Sequence, residues 1–88
     1  MLDLSEVGYV RRITIGSTDP EKLASDDEAR TAMDLLNRCL SEPPRGRIIG
    51  VEKKFSILNI GEHQVVLQAI VYHLGFARKP SWLIEAQP

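Results

Sequence analysis

The side chains in this sequence best suited to acid–base chemistry are His73, Tyr72, His63 and the carboxylate of Glu52. An imidazole beside a carboxylate can act as a general acid or base. No nucleophile or second carboxylate accompanies them, and the two histidines lie ten residues apart with no Cys or Asp between them. We therefore expect no catalytic site, no metal site and no cofactor. A small enzyme that uses His73 as its acid or base is the weakest of three alternatives.

Two other kinds of reactive site find little support in the sequence. The six glycines are scattered singly, so they form no phosphate-binding loop. Cys39 is the only cysteine, which excludes an intrachain disulfide and a cysteine-based metal site. Nothing near Cys39 in sequence suggests a lowered thiol pKa, so we interpret it as a small apolar residue on a helix.

Two long apolar runs, residues 47–60 and 63–78, meet at Gly61-Glu62 and predict a β-hairpin. Glycine at the first turn position and a polar residue at the second suit a type II′ turn, whose twist matches that of the strands it joins. With this turn Ile60 opposes His63, and the numbers of opposed residues sum to 123 along the ladder. Glu52 and His73 then become diagonal neighbours on one face of the hairpin.

This register assigns the hairpin residues to two faces, because successive side chains of a strand alternate. One face is apolar at eight of ten positions and is expected to form the core: Ile49, Val51, Lys53, Phe55 and Ile57 opposite Leu74, Tyr72, Ile70, Gln68 and Val66. The second face is mixed but carries six large aliphatic side chains: Ile48, Leu58, Ile60, Val65, Leu67 and Val71. Gly50 and Gly75 lie inside the predicted strands, where an isolated glycine indicates a bulge or a close backbone approach.

The elements before the hairpin are a strand and a helix. Residues 9–15 alternate as a strand, and Arg11, which shares the parity of the apolar residues, is expected at the wet end with its head in water. A short helical turn is predicted over 20–24. Ser25-Asp26-Asp27-Glu28 has the pattern of a capping box, which begins a principal helix over 26–40. The apolar stripe of this helix comprises Ala29, Ala32, Met33, Leu36, Cys39 and Leu40, with Leu35 off the stripe.

The order of strand, helix, strand and strand predicts an α+β fold, a small β-α-β-β domain with one main helix packed on one face of a sheet dominated by the C-terminal hairpin. We expect a single domain over 1–88, in which 1–7 form a loose N-terminal arm and 81–88 a C-terminal tail. If the first two strands are neighbours, they run parallel with a right-handed crossover. No apolar run approaches the roughly 20 residues that span a bilayer, and the N-terminus does not resemble a signal peptide. The expected location is the cytoplasm.

Charge is unevenly distributed along the chain. Residues 17–42 contain three basic and seven acidic side chains, a net charge of −4, whereas residues 43–80 contain six basic and two acidic ones, a net charge of +4. Four of these cations, Arg45, Arg47, Arg78 and Lys79, are expected at the open end of the hairpin, where they could bind phosphate or an acidic surface. Nucleic-acid binding at this end is the second alternative, although the pI of about 6.1 is low for that class.

Self-association or binding of another protein is the leading functional interpretation, because a single helix can cover only one face of a small sheet. The surface expected to mediate it is the second face of the hairpin, with Ile48, Leu58, Ile60, Val65, Leu67 and Val71. An apolar patch of this size exceeds what a soluble monomer normally exposes. We therefore expect a non-enzymatic interaction or regulatory module that forms a homodimer or pairs with another protein.

Overall fold

The computed structural model describes residues 4–83 of the chain. Within this range a 3-10 turn at Leu4–Glu6 is followed by β1 (Tyr9–Gly16), α1 (Asp26–Ser41), β2 (Arg47–Ile60) and β3 (His63–Phe76). The predicted α+β fold, with its β-α-β-β order and its long hairpin, is confirmed. The described part of the chain contains no helix long and apolar enough to cross a membrane.

The sheet has the strand order β1-β3-β2, and both of its pairings are antiparallel. β3 therefore lies between the first two strands, so the parallel pairing considered for neighbouring strands does not arise. The tight turn at Gly61-Glu62 keeps β3 beside β2, and β1 then pairs along the other edge of β3. In this arrangement β3 is the central strand, and its second half is the most buried part of the sheet.

The predicted hairpin register is confirmed from Ile60↔His63 to Gly50↔His73. Gly61 adopts a positive φ of 59°, whereas Glu62 does not. Positive φ at the first turn residue alone distinguishes type II′ from type I′. Glycine adopts this conformation without strain. The turn at Gly61 thus fixes the register, and the register fixes which side chains share a face.

A β-bulge interrupts the register at Ile49, because Ile48 opposes Leu74 while Gly50 opposes His73. The extra residue turns Ile48 toward the face that carries Leu74, so the predicted faces of Ile48 and Ile49 are wrong. A β-carbon added to Gly75 would lie 3.1 Å from Ile49 Cγ2, which places Ile49 on the second face. Glycine at position 75 permits this close approach.

α1 begins at the predicted cap. The Ser25 hydroxyl accepts a hydrogen bond from the Glu28 backbone N–H at 3.1 Å and donates one to Glu28 Oε1 at 3.2 Å. The predicted helical turn over 20–24 is wrong, because Asp19 organises a simple turn by accepting from the Glu21 and Lys22 N–H groups. The predicted stripe is wrong at Met33, which is exposed, and Leu35 packs against the core in its place.

Ser25→Ala is expected to lower the free energy of unfolding by about 1 kcal/mol, since it removes the acceptor for a helix-end N–H. Urea denaturation followed by circular dichroism measures this change. Ser25→Asp, which retains a cap acceptor, serves as the matched control and should remain close to the wild type. Coincident urea curves for Ser25→Ala and the wild type would show that this hydrogen bond contributes nothing.

The core lies where α1 packs on β1 and on the second half of β3. Its buried apolar members are Ile13, Leu36, Cys39, Leu74, Phe76 and Leu83. Leu83 belongs to the predicted C-terminal tail, and next to it the Trp82 indole N–H donates to the Pro43 carbonyl at 3.2 Å while the Arg38 guanidinium lies 4.5 Å from the ring centre. Of the predicted arm and tail, residues 1–3 and 84–88 lie outside the described range.

The prediction that Arg11 lies at the wet end of β1 with its head in water is wrong, because Arg11 is only 7% exposed. It opposes Leu74 in the β1–β3 ladder, in the middle of the face that α1 covers. Burial raises the pKa of the nearby Cys39 thiol, and the positive charges of Arg11 and Arg38 offset part of this effect. The thiol is fully buried and stays protonated at neutral pH, which agrees with its interpretation as a core residue.

Candidate functional site on the projecting hairpin

The end of the hairpin that carries the turn projects beyond the rest of the molecule. β1 pairs only with Ala69 to Phe76 of β3, so residues 55–60 and 63–68 form a ribbon of two strands. We call these residues the projecting ribbon. The described chain measures 50 × 24 × 18 Å, in agreement with strands of 14 residues that are about 46 Å long. A two-stranded ribbon is only marginally stable in water without a surface to pack on.

The face of the projecting ribbon that carries Phe55, Ile57 and Val66 continues the predicted core face, and we call it the helix-side face. It is exposed. Phe55 and Ile57 are both 62% exposed, and Val66 is similarly accessible. Val51, at the base of the ribbon, is also exposed. The prediction that this whole face is core is therefore wrong, because α1 has 16 residues, spans about 24 Å and contacts mainly β1.

α1 packs on the other face of the sheet, whereas on the second face Val7, which follows the 3-10 turn, lies against Gly75. Of its six predicted interface residues, Ile60 and Val65 are exposed, and Leu58 and Leu67 are half-buried. Val71 is already only 2% exposed, since it lies in the central strand between Thr14 and Glu52. The bulge moves exposed Ile48 to the helix-side face. The accessible apolar residues of the second face therefore lie at its two ends, Ile60 and Val65 on the projecting ribbon and Val10 and Ile49 near the other end of the sheet.

The predicted proximity of His73 and Glu52 is present in the structure. His73 Nε2 lies 3.2 Å from Glu52 Oε1, and the two side chains are partly exposed on the second face. Tyr72 is adjacent to His73 in the strand and therefore points to the opposite face, and His63 is exposed beside the turn. Among the described residues, no group of three or more His, Cys, Asp or Glu side chains could hold a metal ion. The pair has the geometry of an ion pair when His73 is protonated.

The four predicted cations are exposed at the open end of the hairpin, which we call the basic end: Arg45, Arg47, Arg78 and Lys79. Arg47 opposes Gly75 in the ladder. A β-carbon added to Gly46 would lie only 2.7 Å from the Phe76 ring, so Gly46 packs directly against this ring. The two chain segments that carry the cations therefore leave the hairpin side by side.

An open cleft of about 650 Å³ lies between β1 and the first half of α1. Its polar lining consists of exposed side chains of both charges, including Arg12, Lys22, Asp27 and Glu28. Small-molecule sites are usually more enclosed and more apolar. This cleft therefore provides weaker evidence for a binding site than the projecting ribbon.

The fold defines a small α+β protein whose most unusual surface is a projecting apolar hairpin. Comparisons with protein-family models, with curated proteins and with solved structures find no match to this chain.

Proposed function

We propose that this chain is a non-enzymatic association module that forms a homodimer through its projecting ribbon. One observation carries the proposal: large apolar side chains are exposed on both faces of a two-stranded ribbon. Each large side chain that becomes fully buried contributes about 1.5 to 3 kcal/mol. The proposed location is the cytoplasm.

Self-association fits this surface because it is apolar on both sides and carries few charges toward the turn. Between Phe55 and Gln68 the only acidic residue is Glu62, and no lysine or arginine occurs. Interfaces that bind a charged partner carry complementary charge, which the projecting ribbon lacks. A two-fold axis can instead bring the same apolar patch of two subunits together.

The test is the molar mass of the wild-type chain in solution. Light scattering coupled to size-exclusion chromatography, from low to high micromolar concentration, is expected to show a mass that rises from 9.9 kDa toward twice that value. A constant monomer mass at high micromolar concentration would contradict the proposed homodimer.

The basic end supports a second candidate function, binding of nucleic acid or another polyanion. Reversal of Arg47 and Lys79 to glutamate is expected to abolish salt-dependent retention on heparin, because phosphate and sulfate contacts are electrostatic. Reversal of Lys22 and Arg30, which changes the net charge equally on the acidic half of the chain, is the matched control and should leave retention unchanged. No retention of the wild type at low salt would exclude this function.

A further inference from the structure

The outer edge of β2 is open in the described part of the chain, because the strand order β1-β3-β2 leaves β2 paired on one side only. Most of its 14 residues are exposed. A long open edge offers unpaired N–H and C=O groups to another strand. We propose that β2 pairs antiparallel with β2 of a second copy, with Lys53 on the two-fold axis. This inference rests on the proposed homodimer and places its two-fold axis at the base of the projecting ribbon, of which residues 55–59 then lie in the paired strand.

The backbone of the hairpin restricts the registers that this pairing can adopt. Residues that flank a two-residue turn form a hydrogen-bonded pair, and such pairs recur at every second position of an antiparallel ladder. Ile60 and His63 flank the turn, so even-numbered residues from Gly50 to Ile60 direct their main-chain groups to β3. Odd-numbered residues direct theirs to the open edge. A symmetric pairing must therefore match odd residues with odd and even with even.

Among these registers, the one centred on Lys53 matches side chains by type. It places Val51 opposite Phe55 of the second copy, Glu52 opposite Lys54 of the second copy, and small Gly50 opposite Ser56. The two-fold axis generates each of these pairs twice. Apolar side chains thus meet apolar ones on the helix-side face, and opposite charges meet on the second face, both of which stabilise a cross-strand pair.

Neighbouring registers lose this match. A centre on Glu52 places Val51 opposite Lys53, and a centre on Lys54 places Lys53 opposite Phe55. Either shift also brings two glutamates or two Lys54 side chains together on the axis and separates the Glu52–Lys54 pairs. The centre on Lys53 also lies within one residue of the middle of β2, so nearly the whole strand overlaps its copy.

One contact in this register is unfavourable, because Lys53 opposes Lys53 of the second copy on the axis. Lysines on an open edge also discourage unspecific pairing with other strands. This register therefore predicts that removing the charge of Lys53 strengthens the dimer. Lys53→Thr is expected to lower the dimer dissociation constant several-fold, whereas Lys22→Thr, outside the hairpin, leaves it unchanged.

The decisive experiment exchanges the charges of the cross-copy pair. Glu52→Lys and Lys54→Glu, each alone, create two like-charge pairs and are expected to raise the dissociation constant at least about tenfold at low salt, as measured by sedimentation equilibrium. The double variant restores both pairs and should dimerise like the wild type. It also lacks the contact between Glu52 and His73, so its recovery cannot come from that contact. Glu62→Lys, at the turn, controls for the change in net charge.

The outcomes separate this inference from the proposed homodimer. A wild-type dimer that is insensitive to both single reversals, or that the double variant fails to restore, would overturn the β2 register and leave self-association standing. A wild-type chain that stays monomeric would end both. Urea denaturation of each variant identifies any loss of the fold, and recovery in the double variant would confirm the register.

Discussion

Phe55→Lys is expected to weaken the proposed dimer strongly, with a dissociation constant raised more than about tenfold. In the register centred on Lys53, Phe55 packs against Val51 of the second copy, and the axis generates this contact twice. The substitution removes two apolar pairs and adds two charges beside the two Lys53 side chains, so that four cations crowd the axis. Each cross-strand pair contributes about 0.2 to 1 kcal/mol, so the two lost pairs and the added like charges together are expected to exceed the roughly 1.4 kcal/mol that corresponds to a factor of ten.

The fold of the monomer should tolerate this change, because Phe55 is 62% exposed and lies opposite Gln68. Leu23→Lys is the matched control, since Leu23 is 58% exposed outside the hairpin and should affect neither fold nor mass. Leu67→Lys probes the second face instead. If the dimer is lost in Leu67→Lys but kept in Phe55→Lys, the two copies stack through their second faces and the edge pairing is wrong.

The hairpin shows how much of this fold the sequence determines. Gly61 followed by a polar residue sets the turn type, the turn sets the register, and the register sets the contact between Glu52 and His73 over 21 positions of sequence. Every step is local or follows from strand geometry. The cap at Ser25 is predictable for the same reason, because its hydrogen bonds join residues only three positions apart.

The bulge and the position of the helix were harder to predict, because both depend on packing between distant segments. Gly50 and Gly75 signal an irregularity, but the residue inserted there is Ile49, and no local pattern distinguishes it from Ile48. The helix could have covered any part of an apolar face that is longer than itself. It packs on β1, and the consequence is an exposed projecting ribbon where the alternation of residues predicts core.

Arg11 shows the same limit at a single position. Its parity in β1 matches that of Ile13 and Ile15, which correctly indicates the core face. Burial of a guanidinium is expensive, so charge alone predicts a solvated head. Only the pairing of Arg11 with Leu74, beneath α1, shows that the position lies in the middle of the core.

Leu74→Ala is expected to cost about 2 to 5 kcal/mol of unfolding free energy, the largest loss from any single truncation considered for this chain. Leu74 is 0% exposed in the central strand, opposite Arg11 on one side and Ile48 on the other. Few neighbouring side chains can collapse into the space, because the adjacent strands and α1 hold it open. A domain of this size has a total stability of roughly 4 to 13 kcal/mol, so the variant should be partly unfolded at moderate urea concentrations.

Val66→Ala is the matched control for this truncation, because Val66 lies in the same strand but on the projecting ribbon, where it is exposed. With both truncations made in the Phe55→Lys background, the cost of Val66→Ala should stay below about 1 kcal/mol, since little apolar surface leaves water there when the monomer folds. Urea denaturation at equal protein concentration compares the two variants. Equal losses for Leu74→Ala and Val66→Ala would mean that the projecting ribbon is as well packed in the monomer as the core and needs no partner.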